Sequence, residues 1–310
     1  MSSPHKSEAD LLRALGGDLE GFGTHEGRID LRGVTAGFSG AVSRGPVAGT
    51  ERVDVLRSQG LMVRGVDLSI GRIAGWRILG CQFVDCSFDG GRFPDLRTWE
   101  TTFTNCSFRS AKLRDAVLGP MSNGGHNVYE GVNFDGADLR GAVFSYCRMV
   151  RCSFNETRLD GVQFGLSEFD DCSFSGRLKD VIFGAAHEGA RVELPIGGHP
   201  NRLRRVDFRS ATFEYVEFRN VDADDIRWPQ NIRHIVFERG FRRALESMIA
   251  HFSTRQEPDA RALAAAMKVE LTWLGRRDSG VVSIDQGGLS DAIKRELENV
   301  ARQAVSDSLD

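Results

Sequence analysis

Long hydrophobic runs are absent from this 310-residue sequence, and so is an excess of charge of either sign. No apolar stretch is long enough to span a bilayer, and the N-terminus lacks the apolar run of a signal peptide. The formal net charge is −3, so no strong field favours nucleic acid or a membrane surface. These absences predict a cytoplasmic protein that neither enters membranes nor binds nucleic acid directly.

Catalytic and metal-binding motifs are also missing. The sequence contains no glycine-rich phosphate loop, no G-x-S-x-G nucleophile and no H-E-x-x-H zinc motif. The seven histidines are scattered along the chain. We therefore predict no catalytic residue, no metal site and no cofactor, and we interpret the protein as a non-enzyme.

Cysteine is scarce, but its six copies share one spacing. In each of two sets the second cysteine follows the first by five residues, and the third follows the second by twenty: Cys81, Cys86, Cys106, and Cys147, Cys152, Cys172. Such a repeat suggests a metal site or a disulfide framework. Structural disulfides are rare in the cytoplasm, however, and no histidine shares the register that a metal site would need. We interpret all six cysteines as packing residues.

The spacing belongs to a wider period of five. In three stretches, 68–118, 134–174 and 203–228, every fifth residue is apolar at 25 of 26 positions, where the 41% average would give about 11. A second register, two residues earlier, carries smaller side chains and includes every cysteine. A period of five fits neither a helix nor a simple strand, but it fits a short extended segment followed by a turn.

Three stretches read "GADLRGAVF" at 136–144, "SFRSAKLRDAVL" at 107–118 and "RSATFEYVEFRN" at 209–220. They resemble the pentapeptide-repeat family, whose units read A-(D/N)-L-x-x, and the resemblance covers roughly 60–230. It implies a mainly β fold, a right-handed quadrilateral β-helix with four pentapeptides and about 20 residues per coil. Charges twenty residues apart support that coil length, because stacked rungs favour opposite signs. Eight such pairs are opposite: Asp138/Arg158, Arg140/Asp160, Arg148/Glu168, Arg151/Asp171, Arg202/Asp222, Arg204/Asp224, Arg205/Asp225 and Asp207/Arg227.

The pattern divides the chain into three parts. Residues 1–28 form a tail with a short helix over 7–17, and residues 29–230 form the β-helix, with degenerate early coils at 28–33 and 52–55. Loops at 119–131 and 184–202 interrupt it, and each is open to two interpretations, a binding loop or a tolerated surface insertion. Residues 231–310 have helical spacing and predict an α-helical domain that caps the β-helix, forms a dimer, or both.

The C-terminal part contains three predicted helices. The first carries Phe237, Phe241, Leu245, Met248, Ile249 and Phe252, and the second starts at Pro258. The third carries Ile293, Leu297, Val300 and Ala304, a 4-3-4 spacing that resembles a coiled-coil seam. Family members often dimerise through such helices, so the resemblance implies a homodimer.

Candidate partner-binding residues come from breaks in the surface pattern. Arg72, Arg92 and Lys112 form one column of like charge, and Arg77 and Arg97 form another. Either they bind an acidic partner, or they pair locally with Asp95, Glu100 and Asp115. Exposed apolar columns are expected at Leu79/Trp99 and Tyr146/Leu166. The predicted loops add His126 and His187.

The resemblance also implies a function. Some pentapeptide-repeat proteins mimic duplex DNA and bind type II topoisomerases, and those of the quinolone-resistance group carry two projecting loops. The resemblance therefore implies a non-catalytic macromolecule-binding protein. Its expected protein partner is DNA gyrase or topoisomerase IV, and its expected role is in antibiotic resistance. The near-neutral charge of 63–228, 21 basic and 23 acidic residues, departs from that pattern. The alternative is a structural or regulatory scaffold for an unrelated protein.

Overall fold

The computed structural model describes residues 6–37, 55–119, 125–184, 201–284 and 287–307. A parallel β-helix forms its centre. Each coil has four short sides, here named faces 1 to 4, whose inward residues in one coil are Phe83, Phe88, Phe93 and Thr98 in that order. Phe83 pairs in register with Phe103, twenty residues later. The predicted coil length and fold class are confirmed.

Faces 1 and 4 are parallel sheets of eight strands each. Face 1 consists of Met62–Arg64, Gln82–Val84, Thr102–Thr104, Asn127–Glu130, Cys147–Val150, Glu168–Asp170, Arg202–Arg204 and Asp222–Asp224. Face 4 consists of Arg57–Gln59, Arg77–Leu79, Arg97–Trp99, Val117–Leu118, Val143–Ser145, Gln163–Gly165, Ile182–Phe183 and Glu217–Phe218. Each coil contributes one short strand to each of these two faces. A side chain on that strand therefore lies directly above the equivalent side chain of the preceding coil.

Faces 2 and 3 are held by single bridges and shorter sheets. The strands here are Thr24–His25, Arg28–Asp30 and Val66–Asp67; Thr35–Gly37 and Arg72–Ala74; and Ser153–Phe154, Ser173–Lys179 and Asp207–Glu214. Ser173–Lys179 pairs with Asp207–Glu214 around a corner, with a register shift between Ser173 and Ser175. Leu178 is fully buried, four residues after Phe174 and five before Phe183, so the five-residue register slips by one residue here.

Aromatic rings fill the interior in vertical stacks. On face 2, Phe134, Phe154 and Phe174 stack with centroid distances of 4.9 and 4.7 Å and nearly parallel planes. Rings on face 4 meet them edge-on, as Phe164 does with Phe154 at 5.9 Å. Offset stacks and edge contacts are the favoured geometries for aromatic pairs, so the period of five becomes a continuous, tightly packed core.

The first interruption is shorter than predicted. Within 119–131, residues Asn127–Glu130 form a strand of face 1, and Tyr129 is buried with its ring stacked on Phe103 at 5.4 Å. The insertion therefore lies between Leu118 and Asn127. In the second interruption, Arg202 already begins a strand, while residues 185–200 lie outside the described residues.

The N-terminal part begins with helix α1, Glu8–Leu15, which Ser7 caps and Gly16 ends, as the pattern at 7–17 predicts. Arg28–Asp30 pairs in parallel with Val66–Asp67, so an early coil does begin at 28. Residues 52–54 of the early coil predicted at 52–55 lie outside the described residues, and Thr35–Gly37 forms a strand.

The C-terminal part has three helices, α2 (Phe241–Ser253), α3 (Pro258–Trp273) and α4 (Asp291–Asp307). The prediction that Phe237 belongs to the first helix was wrong, because His234–Phe237 forms an antiparallel pair with Gly280–Ser283. The seam of α4 is not free. Its residues Ile293 and Leu297 are buried in one core with α2 and α3.

Candidate functional site

The six cysteines are free, buried and placed in the small-residue register. Several thiols donate a hydrogen bond to the carbonyl of a residue one coil below: Cys106 to Phe83 at 3.5 Å and Cys172 to Met149 at 3.5 Å. Thr157 and Ser167 donate equivalent bonds to Phe134 and Phe144. This register thus accepts small side chains that can donate a hydrogen bond to the coil below. The cysteines have their regular spacing because they occupy this packing position.

Both insertions leave the β-helix at one corner. Eleven residues separate the inward Leu118 from Tyr129, and twenty separate Phe183 from Leu203, where the repeat needs five. Each gap runs from face 4 to face 1. Three rungs separate the two exits, which at 4.8 Å a rung is about 14 Å. We call this corner the loop edge.

The predicted apolar residues follow the loop edge. Leu79 and Trp99 are direct register partners on face 4, in the two rungs below the first insertion. Tyr146 and Leu166 occupy the corner itself in the two rungs between the insertions, next to the register pair Ser145 and Gly165. The structure therefore brings together two columns that the sequence treated separately. Trp99, Tyr146 and Leu166 are half-buried rather than exposed as predicted, and Leu79 is 36% exposed.

Tyr146 and Leu166 have a backbone conformation that bulky residues seldom adopt. Their φ angles are both +50°, in the left-handed region, because each pentapeptide turns its corner there. Glycine takes this conformation without steric penalty, whereas an ordinary L-residue loses about 1–2 kcal/mol. Gly80 occupies the equivalent corner beyond Leu79 with φ +62°. Folding alone does not account for two large apolar side chains at this corner.

The two basic columns differ. On face 4, Arg77 and Arg97 both bond to Asp95, Arg97 at 3.1 Å, so local pairing holds for this column. Arg57 lies one rung below Arg77 and extends the column, a residue that sequence analysis missed. On face 3, Arg72, Arg92 and Lys112 bridge one another through their backbones, all are exposed, and none forms an ion pair in the described part of the chain. We call these three residues the basic ladder.

Opposite charges stack elsewhere, as the twenty-residue register predicts. Arg148 and Glu168, Asp138 and Arg158, and Asp207 and Arg227 form direct ion pairs of 3.6 to 3.8 Å. Arg204 pairs at 3.0 Å with Asp170, its register partner one rung below, and Arg205 reaches the same carboxylate at 2.6 Å. Arg140 lowers the pKa of Asp138 through a hydrogen bond. The signs alternate along these columns, so the acidic residues are neutralised by neighbours.

Neither predicted loop histidine builds a chemical site in the described residues. His126 is half-buried beside the first insertion, and His187 lies outside the described residues. Among the residues with described positions, no group of three or more His, Cys, Asp or Glu side chains is placed to hold a metal ion. Within the same set, no helix has the length and apolar character needed to cross a membrane.

The C-terminal part closes the upper end of the β-helix. Arg277 is buried, and its guanidinium lies 5.3 to 5.7 Å from the ring centroids of Phe218, Trp228 and Phe241. Glu270 is its ion-pair partner, and burial lowers the pKa of Arg277. A cavity of about 380 Å³ lies beside this contact, between the last coil and α3, with a largely apolar lining that includes Leu245, Leu263, Met267 and Trp273.

His234 joins the C-terminal part to the last coil. The Phe213 amide donates to Nε2 at 3.1 Å, so this nitrogen is an unprotonated acceptor, and Nδ1 carries the hydrogen that meets Asn231 at 2.7 Å. The side chain is buried, and burial lowers the pKa of His234. Protonation would remove the acceptor from the Phe213 amide.

This geometry predicts a pH-dependent stability. The folded-state pKa of His234 lies below its unfolded value of about 6.5, so only the unfolded chain takes up a proton as the pH falls through that value. The stability from neutral His234 is present above pH 6.5 and is lost below it, by at most about 1.4 kcal/mol per pH unit. Urea unfolding between pH 7 and 5 should show a smaller loss in His234→Gln than in the wild type. Equal slopes would contradict the assignment.

The fold defines a class, a parallel β-helix of stacked five-residue units closed by a helical domain. Residues 133–176 match the family model of pentapeptide repeats in eight copies. Residues 133–176 are therefore pentapeptide repeats, and the fold around them is a pentapeptide-repeat β-helix. A search of curated protein sequences gave no match.

Several solved structures are similar in fold. Rfr23, a pentapeptide repeat protein from the cyanobacterium Cyanothece 51142, is 10% identical with a TM-score of 0.32 and covers 40% of this chain and 89% of its own. A trypsin-treated form of QnrB1, a plasmid-mediated fluoroquinolone resistance protein, is 16% identical with a TM-score of 0.29 and covers 57% and 91%. HetL from Nostoc sp. strain PCC 7120, involved in heterocyst differentiation regulation, is 13% identical with a TM-score of 0.21 and covers 72% and 95%. At these values the likeness says nothing of what this chain binds.

Proposed function

We propose that the protein is a non-catalytic cytoplasmic scaffold that binds another protein through the loop edge. The observation that carries the proposal is the pair Tyr146 and Leu166, two large apolar side chains held in left-handed corners. The fold imposes left-handed φ at this corner in other rungs too, at Gly80 and Glu100, so the choice of large apolar residues there is a cost that folding does not require. Such costs are typical of functional surfaces. Leu79 and Trp99 extend this apolar surface along the loop edge, and both insertions leave the β-helix beside it.

The test is a double variant, Tyr146→Gly with Leu166→Gly. Relief of the left-handed strain offsets the lost packing of two half-buried side chains, so the free energy of unfolding should stay within about 1 kcal/mol of the wild type. Captured partner, measured by quantitative mass spectrometry from an extract, should fall at least about tenfold. Ser110→Gly is the matched control, because Ser110 has φ +56° at a different corner. Equal capture by all three proteins would refute the proposal.

A narrower proposal names a type II topoisomerase, DNA gyrase or topoisomerase IV, as the partner. It is favoured by the two insertions, which leave one corner about 14 Å apart and can contact one partner together. The alternating charges weigh against DNA mimicry, because a duplex presents continuous negative charge. A gyrase supercoiling assay tests this partner. The protein is titrated into the assay with and without a fluoroquinolone. Inhibition or drug protection that is lost on deleting 119–126 supports this partner, and no effect at any concentration removes it.

Homodimerisation through the C-terminal helices is a further prediction. The α4 seam is already buried within the protomer, so we expect a dimer to use the outer surface of α3, where Val269 is 51% exposed. Light scattering on the purified protein, with Val269→Lys as the variant, measures the oligomeric state directly.

A further inference from the structure

We propose that the basic ladder on face 3 is a second binding surface, which recognises an acidic protein segment. This surface is distinct from the loop edge, which lies at the corner between faces 4 and 1. Arg72, Arg92 and Lys112 occupy three consecutive rungs of one column, so their Cα atoms rise by about 4.8 Å each.

The ladder departs from the alternation of charge along the columns of residues 138–227. It also differs from the face 4 column, where Asp95 bonds Arg77 and Arg97. Like charges directly opposite each other on neighbouring strands destabilise the sheet. The next residue of the same column is Asp138, which pairs with Arg140 at 2.7 Å and with Arg158 at 3.8 Å. Alternation therefore begins where the ladder ends, and three stacked cations that form no ion pair within the described residues need another explanation.

In the described part of the chain, neither Asp89 nor Asp95 forms an ion pair with the ladder. Asp89 accepts from the hydroxyl of Ser107 and the amide of Arg109, and Asp95 is held by Arg77 and Arg97. Because these acceptors are engaged with other donors, the ladder presents its three cations to solvent. A ligand that supplies carboxylates is the electrostatic complement of such a surface.

An exposed apolar residue adjoins the lower end of the ladder. Ile70 lies two residues before Arg72, its side chain is 70% exposed, and its φ is +53°. A β-branched residue in the left-handed region is an outlier, and Gly90 occupies the same corner one rung above. Ile70 and the ladder together fit an acidic segment that carries one apolar side chain beside its carboxylates.

A protein segment fits better than nucleic acid. The ladder offers three cations on a chain whose net charge is −3, whereas duplex and single-strand binding rely on many phosphate contacts and a basic surface. Short carboxylate-rich segments need only a few cations and gain specificity from an apolar contact.

The experiment titrates the full-length protein into two labelled probes, a glutamate-rich peptide with one terminal leucine and an oligothymidylate. The wild type should bind the peptide, with the affinity falling about tenfold between roughly 50 and 200 mM salt. Arg92→Glu places a carboxylate between Arg72 and Lys112, so it should bind the peptide at least about tenfold more weakly. It should also melt about 2 °C higher, because two like-charge contacts become ion pairs.

Arg227→Glu is the matched control. It changes the net charge equally, lies on face 2, and sets a carboxylate opposite Asp207. It should bind the peptide as the wild type does but melt at a lower temperature. Ile70→Gly should remove only the preference for the leucine-bearing peptide over its serine counterpart.

Three results would overturn the inference: binding to neither probe, binding to oligothymidylate alone, or undiminished peptide binding in a folded Arg92→Glu protein. Each of them leaves the loop edge untouched. Conversely, the Tyr146→Gly and Leu166→Gly double variant should lose partner capture but keep peptide binding. That result would bear on the loop-edge proposal alone. The two surfaces are therefore tested separately.

Discussion

Phe154→Ala is expected to lower the free energy of unfolding by about 3–5 kcal/mol. The ring is fully buried and stacks between Phe134 and Phe174 in the middle of the β-helix. Removing it leaves a cavity that cannot close, because the backbone hydrogen bonds between rungs fix the coil spacing. Ser153 pairs in register with Ser173 directly beside it. Urea unfolding followed by circular dichroism measures the change.

Phe154→Leu separates volume from aromatic stacking. Leucine occupies the inward position of face 3 in the same coil, at Leu159, so the interior accepts its shape. The expected loss is about 1–2 kcal/mol, smaller than for alanine, since most of the apolar volume remains. A loss for alanine no larger than for leucine would mean that the stack relaxes around the gap and that rung spacing is softer than the geometry indicates.

Glu270→Gln should destabilise the C-terminal part by about 3 kcal/mol, and Arg277→Met by about 1 kcal/mol, although both remove the same ion pair. Within the described residues, the guanidinium of buried Arg277 donates to two partners, Glu270 and the Ser279 carbonyl, so glutamine at 270 strands a cation inside the protein. Methionine instead keeps an apolar chain against Phe218, Trp228 and Phe241 and leaves Glu270 reaching partly into water.

The asymmetry between the two variants is the informative quantity. Thermal unfolding of both, followed by the fluorescence of Trp228 and Trp273, reports on the contact between the last coil and the helices. Arg302→Met is a surface control, because its pair with Glu298 is exposed and such pairs contribute little. If Arg277→Met proved the more damaging variant, the cation–π contacts rather than the buried charge would dominate this contact.

The repeat made most of the β-helix predictable from sequence. Inward residues, coil length and the packing role of the cysteines follow from the period of five, because each position meets the same surroundings in every coil. Tyr129 was assigned to a loop because Gly and Pro precede it, although it lies five residues before Phe134 and continues the period. Arg57 was also missed. It lies twenty residues before Arg77 and precedes the regular stretch that begins at residue 68.

Other features carry no local signal. Phe237 has helical spacing with Phe241, but its strand pairs with Gly280–Ser283, more than forty residues away. The left-handed corners at Tyr146 and Leu166 also escaped prediction, because bulky residues favour other conformations. Arg77 and Arg97 pair with Asp95, whereas the basic ladder has no ion pair among the described residues. This difference depends on side-chain directions that the sequence leaves open.

The twenty-residue coil also limits how the gene can change in length. Duplication of sixty nucleotides in frame adds one rung with the same cross-section, and the stacked rings continue across it. An addition of other length has to leave at a corner, as both insertions do between faces 4 and 1. Each duplicated rung would move the helical end about 4.8 Å further from the basic ladder. Outside such corner insertions, natural variants should therefore differ in length by whole coils, and the distance between the two ends of the β-helix should change in steps of one rung.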